Sequence, residues 1–441
     1  MSHKEYEPVQ PPGRAAAWTI ATDNSGAQVH TGKPESIRRN AWCVAVLGFA
    51  LVLSAGKTFS APVSGPATES VAASEVQSFN QSIYDVIAAK AAPAAGAPVT
   101  AKANLFLGWT GAWDTIIMKQ MNMLVQWLPK GSTVEWKRNL QGPPVITDML
   151  ANKQNIAYLG DNPAIVSTTK TGIAPLKIVG FNLISPSRMC GVLLLRSDAP
   201  MMQSPAEVFK WLKGKTIAVP KGSCADRTGQ ETMKKAGVEV NWVFNQAEVI
   251  VTSLEAKKID AAFVYEPSAA NAVKLGYGRY ALSGAYFNLS DANVIIMRQD
   301  FIQQNRAAAI GWLKANIEAL YFMRDRPIET VEAIKRELPD FSKETIWEAF
   351  YGRLPANTGS GPIVNTAVMT ITPQATDLAK SVFGFLKSRN VVQGELGPDA
   401  IDPTLIAQAF SELGLDPKKA LFEIKGGLPA ENPFVKDALK K

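Results

Sequence analysis

Three short stretches place polar groups where a strand-like run gives way to a helix-like one. Gly160-Asp161-Asn162-Pro163 follows the apolar residues 156–159, and Gly222-Ser223-Cys224 follows the apolar residues 216–219. Trp109-Thr110-Gly111 follows the strand-like "NLFLGW". A helix start leaves backbone N–H groups without intrahelical partners, and these donate to either a capping side chain or an acidic ligand. Asp161 or Asn162 before Pro163 suits a cap. The N–H groups at such a helix start suit an acidic ligand, whereas Asp161 itself repels an anion and suits a ligand ammonium or a neighbouring arginine. Ser223 can cap and still present its hydroxyl, because the two roles share geometry.

The remaining candidates fit the same chemistry, which is capture of a small anion. Arg188 stands just before a strand and offers a planar fork for a sulfonate, sulfate or carboxylate; a surface arginine is the alternative. Trp109 and Trp113 flank Thr110-Gly111, so one is expected to line the site and the other to join the core. Tyr265-Glu266 ends another apolar run, with Tyr265 as a wall and Glu266 as an amine acceptor or a solvated loop acid. Catalysis finds less support. The two histidines, His3 and His30, both precede the first hydrophobic segment, so the body has no histidine base or metal ligand. Asp114, Asp161 and Glu266 are not paired by spacing. No catalytic residue, metal or cofactor is expected.

Composition sets the compartment and partners. The 441 residues are 46% hydrophobic and 19% charged, which suits a globular chain of more than one lobe. The net charge of +7 is spread along the chain without a Lys/Arg block. That suits an anionic ligand or solubility rather than nucleic acid. Cys190 and Cys224 form a disulfide or remain buried thiols; export would allow the bridge. Arg38 and Arg39 precede an uncharged run over residues 41–56, shorter than the roughly 20 residues that span a bilayer. Residues 41–60 therefore read as a signal peptide or membrane anchor after a polar leader, residues 1–40. Residues 61–103 read as an Ala/Pro-rich linker, with a helix at "EVQSFNQSIYDVIAAK" an option within it.

The elements that must hold these residues alternate from residue 104 onward. Strand-like and helix-like stretches follow one another in two series, the signature of mostly parallel sheets with helices on their faces. The expected fold class is α/β, with two Rossmann-like lobes around a ligand cleft and a mostly helical C-terminal extension. Lobe 1 is expected over residues 104–195 and 289–390, lobe 2 over residues 196–288, and the extension over residues 391–441. In such sheets ligands bind beyond the carboxyl ends of the strands. All the candidate stretches fall there.

Four pieces in order carry a resemblance: "GWTGAW", "VEWKRNLQGPPVITDMLANKQNIAYLGDNPAIV", "LKGKTIAVPKGS" and "IDAAFVYEPSA". They resemble the substrate-binding proteins of nitrate/sulfonate/taurine-type ABC importers, two-lobed type II periplasmic binding proteins, over about residues 104–320. The resemblance implies an exported, periplasmic monomer that closes on its ligand. It would deliver that ligand to an ABC permease in the inner membrane with its ATPase. The implied ligand is a small organic anion such as a sulfonate, a taurine-like compound or a sulfate ester. The 12 Met and 3 Cys are not frugal for a protein made under sulfur shortage, which leaves nitrate, an aromatic carboxylate or a pyrimidine open. A membrane-anchored sensing domain is the alternative role. A pyrimidine-forming enzyme branch of the family depends on histidine, which the body lacks. On this reading, Ser223→Ala combined with Arg188→Ala is expected to abolish binding.

Overall fold

A computed structural model describes residues 82–435, apart from residues 171, 173, 186–188, 354–360 and 430. The polar leader, the hydrophobic segment, the linker up to residue 81 and Arg188 lie outside the described residues. Among the described residues, no helix is long and apolar enough to cross a membrane.

Two sheets organise the chain. The first holds β1 (Thr100–Leu105), β2 (Thr133–Arg138), β3 (Ile156–Gly160), β4 (Leu176–Ser185), β10 (Asp291–Arg298), β11 (Val364–Val368) and β12 (Leu421–Lys425). Its strand order is β12-β11-β4-β10-β3-β1-β2. The second holds β5 (Val192–Arg196), β6 (Thr216–Val219), β7 (Asn241–Phe244), β8 (Ala261–Val264) and β9 (Gly278–Ser283), in the order β7-β6-β8-β5-β9. Each sheet with its helices is a lobe. The chain passes from the first sheet to the second between β4 and β5, and returns between β9 and β10.

Both sheets are mixed rather than mostly parallel. β1, β2 and β3 pair in parallel, as do β6, β7 and β8. β10 runs antiparallel to both β3 and β4, and β5 runs antiparallel to both β8 and β9. β10 and β5, the strands that receive the crossovers, are antiparallel to both neighbours, and β11 adds antiparallel pairings with β4 and β12. A strand reached from the other lobe is free of the helical return that keeps neighbours parallel.

In the first lobe, α1 (Ile83–Ala88), α2 (Trp113–Gln120), α3 (Met123–Trp127), α4 (Gly142–Leu150) and α5 (Asp161–Thr168) accompany the early strands. The second lobe carries α6 (Pro205–Leu212), α7 (Cys224–Ala236), α8 (Ala247–Glu255) and α9 (Ser268–Lys274). After β10 come α10 (Gln299–Gln304), α11 (Arg306–Asp325), α12 (Pro327–Glu337), α13 (Lys343–Tyr351), α14 (Pro373–Ser388) and α15 (Thr404–Glu412). Every residue of β3 is buried, as expected for a strand covered on both faces. The long helix α11 is buried along most of its length, with Trp312 donating to the Tyr158 hydroxyl at 2.9 Å.

Three local features differ from the sequence reading. The periodic stretch 113–128 forms two helices, because Asn122 takes a left-handed conformation (φ 55°) that asparagine tolerates better than most residues. The segment read as linker up to residue 103 contains α1 and the start of β1. Ile87 of α1 is fully buried, and Lys90 donates to Leu413 O at 2.7 Å. Burial of that one apolar face outweighs the Ala/Pro-rich surroundings. The C-terminal extension carries α15 and also β12, which pairs antiparallel with β11 and enlarges the first sheet.

Candidate functional site

The two strand-to-helix turns face one another across the space between the lobes. Gly160 ends β3 and Asp161 opens α5; Ser223 is the N-cap residue of α7. Their approach is close. A Cβ on Gly160 would lie 3.1 Å from Cys224 Sγ, so a larger residue there would press on the disulfide. Beside this contact is a cavity of about 20 Å³, walled by Phe106, Trp109, Tyr265 and prolines 143, 163 and 220. Such a volume admits about one water molecule. The rings pack edge to face, with centroids 5.7 Å apart for Phe106–Trp109 and 6.5 Å for Phe106–Tyr265.

Several bonds hold the lobes in this closed arrangement. Arg227 of α7 pairs with Asp161 of α5 at 2.6 Å, and both side chains are only 2% exposed. Asn162 Nδ2 donates to Ser223 O at 3.1 Å, and Thr110 N donates to Glu266 O at 2.9 Å. The Tyr265 hydroxyl donates to Leu140 O at 3.3 Å. Arg227 also bonds Glu231 at 2.9 Å and Ser290 O at 2.7 Å. Burial works against its charge, yet Asp161, Glu231 and Asp291 hold its pKa above the ordinary arginine value. Burial, with Asp161 nearby, pushes the Asp291 carboxyl well above the usual carboxylate range, although Arg227 and the Cys190 N–H favour its charged form.

The candidate residues divide by what they touch. Trp109 and Tyr265 wall the cavity, and Ser223 also lines it. Trp113 stacks on Phe350 in the core, with centroids 5.9 Å apart. Thr110 and Gly111 are buried beside Trp109, where a Cβ on Gly111 would collide with the indole. Asp161 is turned to Arg227. Of the two roles open to it, the geometry pairs it with a neighbouring arginine. Asn162 and Gly222 border a flanking groove next to the cavity. Glu266 is fully buried rather than a solvated loop acid. Its Oε1 accepts from the Tyr280 hydroxyl at 2.9 Å and its Oε2 from Ala270 N at 2.8 Å. Ser223 Oγ donates to Pro220 O at 2.7 Å and accepts from Asp226 N at 3.2 Å. Arg188 lies outside the described residues.

Cys190 and Cys224 are joined, with Cα atoms 5.7 Å apart, well within disulfide range. The bridge ties the crossover after β4 to the first residue of α7.

Sequence reasoning missed Arg227, Phe106 and Lys221. Arg227 lies one helical turn beyond Ser223, on the same face, so the cap it follows is the signal that points to it. Phe106 and Lys221 carry no signal of their own. Two buried polar atoms beside the cavity and groove have no hydrogen-bond partner: Trp109 Nε1 and Asn162 Oδ1.

Comparisons with known proteins agree with this architecture. Residues 147–330 match the family model described as NMT1/THI5 like. A curated relative, the putative aliphatic sulfonates-binding protein of Bacillus subtilis (strain 168), is 21% identical over 64% of this chain and 80% of its own length. The alkanesulfonate-binding protein SsuA from Xanthomonas axonopodis pv. citri, solved with MOPS bound, superposes with a TM-score of 0.58. That match covers 70% of this chain and 99% of that one at 15% identity. The periplasmic nitrate-binding protein NrtA from Synechocystis PCC 6803 gives 0.57 over 73% and 91% at 16% identity. The desulfurization enzyme DSZB shares the fold at 0.51, over 71% and 99% at 13% identity. Over residues 147–330 the chain is similar to the NMT1/THI5-like family, and it shares the two-lobed fold of these sulfonate- and nitrate-binding proteins.

Proposed function

We propose that this chain is the extracytoplasmic substrate-binding component of an ABC importer. It captures a small organic anion, such as a sulfonate, a taurine-like compound or a sulfate ester, and passes it to a membrane permease with its ATPase. One observation carries the reading: two lobes, joined by two crossovers, bring two strand-to-helix turns together across an aromatic-walled cavity. Lobes linked in this way hinge and close around ligands. The closed form has room for about a water, so the ligand enters with the lobes parted. The names of the sulfonate- and nitrate-binding relatives support the ligand class. The disulfide supports export, because such bridges persist in oxidising compartments.

A binding role is favoured over catalysis by the state of the nucleophile candidates. Cys224 sulfur is tied in the disulfide, and Ser223 Oγ is engaged by Pro220 and Asp226. Because DSZB shares the fold, the test includes turnover. The full chain is melted with taurine, alkyl and aryl sulfonates, aryl sulfate esters, nitrate, aromatic carboxylates and pyrimidines, and the mixtures are then analysed for product. A ligand at about 100 times its dissociation constant adds roughly 2.7 kcal/mol of stability. The expected result is stabilisation by an organic anion recovered unchanged. No stabilisation by any member overturns the ligand class, and product formation overturns the transport role.

A further inference from the structure

The second sheet leaves a strand edge open beside a basic groove. β7 stands last in the order β7-β6-β8-β5-β9, so it pairs with β6 on one side and with no strand on the other. Asn241 N donates to Lys215 O at 2.8 Å and Asn245 N to Val219 O at 3.3 Å. In a parallel ladder alternate residues turn to the same neighbour, so Trp242 and Phe244 turn their N–H and C=O groups to the open edge. Among the described residues no loop supplies its backbone to them.

The groove, of about 1310 Å³, lies between β7, the second half of α7 and the end of α14. Lys213, Lys234, Lys235 and Arg389 line it; all four are exposed, and none forms an ion pair among the described residues. Lys235 also donates to Phe287 O at 3.2 Å. Of the two carboxylates there, Glu231 is committed to the buried Arg227 at 2.9 Å, which leaves Glu239. β2, at an edge of the first sheet, differs: its Lys137 pairs with Asp148 at 2.7 Å and its Arg138 with Glu337 at 3.2 Å. The basic groove shares no lining residue with the aromatic cavity.

An open strand edge is a template for any extended chain. Here charge narrows the choice. Four cations repel the same face of a second copy and draw a segment rich in Asp and Glu. We infer that β7 and this groove form a docking surface for an extended acidic segment of a partner protein, which adds beside β7 as a further strand of the second sheet and sets its carboxylates on Lys213, Lys234, Lys235 and Arg389. Main-chain bonds to Trp242 and Phe244 supply affinity, and acids at alternate positions supply specificity, because alternate side chains of a strand share one face. β7 has four residues, so the added strand pairs over roughly 13 Å and the contact is short and reversible. This surface goes beyond the proposed function and does not depend on what the cavity binds.

The test is fluorescence anisotropy on the full chain with a labelled octapeptide of alternating Glu and Val. A fully N-methylated form keeps its charge but cannot donate, and a Lys/Val analogue reverses the charge. The Glu/Val peptide should bind and slow hydrogen exchange at Trp242 N and Phe244 N. Lys234→Glu combined with Lys235→Glu should weaken it about tenfold at low salt and less at high salt. The N-methylated form should bind at least about tenfold more weakly, because the main-chain bonds carry the affinity. Equal binding of the N-methylated form overturns strand addition, and equal binding of the Lys/Val analogue overturns the acidic partner. Failure of the Glu/Val peptide to bind overturns the proposal. In that case phosphatidylglycerol vesicles held by the same lysines would assign the face to a membrane, and a dimer in sedimentation that protects Trp242 N would assign it to a second copy.

Discussion

The turns at residues 159–163 and 220–224 look alike in sequence and differ in what their polar groups do. In the second lobe the turn satisfies itself. Ser223 caps α7 through Asp226 N, and Asp226 in turn accepts from Gly222 N. In the first lobe Gly160 provides no side-chain cap, and the acid at the start of α5 reaches across the cleft to Arg227. One turn is capped by its own residues; the other is complete only when the lobes meet. Residues suited to an anion thus serve closure, and the cavity between the turns is walled mainly by aromatic rings and prolines.

Removing the cross-cleft partner should give the largest effect. Arg227→Ala leaves Asp161 and Asp291 buried together without their cation, and loss of one member of a buried pair costs about 3–5 kcal/mol. Urea unfolding of the full chain measures it, and a loss below about 1 kcal/mol would show that the lobes part without penalty.

Asp114 sharpens the comparison, because it is as buried as Asp161 but faces amides instead of a cation. Burial raises its pKa to about 7, while the nearby Asn182 amide and the Asn316 amide bonded to its Oδ2 hold it lower than burial alone would. A carboxyl whose folded pKa exceeds its unfolded value binds more protons when folded. Its stability contribution is therefore full below about pH 4 and is lost as pH rises to about 7. At about 1.4 kcal/mol per unit, the slope amounts to roughly 4 kcal/mol at most. Melting temperature against pH for Asp114→Asn should lack that decline relative to the parent; a parallel curve would mean that Asp114 stays ionised.

The smallest effect is expected at the self-contained turn. Ser223→Ala removes a helix cap, worth about 1 kcal/mol. Ligand affinity should stay within about twofold, because the hydroxyl already serves Pro220 and Asp226. A large loss of affinity with unchanged stability would return Ser223 to the ligand and reverse the contrast between the turns.

Much of this was legible from local chemistry. Gly160-Asp161-Asn162-Pro163 and Gly222-Ser223-Cys224 announce strand-to-helix turns because glycine, capping residues and proline have short-range preferences. The alternation of apolar runs exposes the two α/β lobes for the same reason. The stretch around Asn122 was less legible, since hydrophobic spacing continues through a residue whose backbone reverses the helix. α1 lies within the stretch offered as an optional helix, but its docking onto the first lobe was not legible, because that rests on Ile87 burial and on Lys90 meeting Leu413 far along the chain.

Sequence alone determined the element types, the turn chemistry and the lack of histidine in the body, all properties of neighbouring residues. The tertiary structure decided that Asp161 meets Arg227, that Cys190 meets Cys224, and that Lys221 and Arg389 line one groove. Each of these joins residues 34 to more than 160 positions apart. Such pairs form only once hydrophobic burial has fixed the two lobes, and no local preference encodes them.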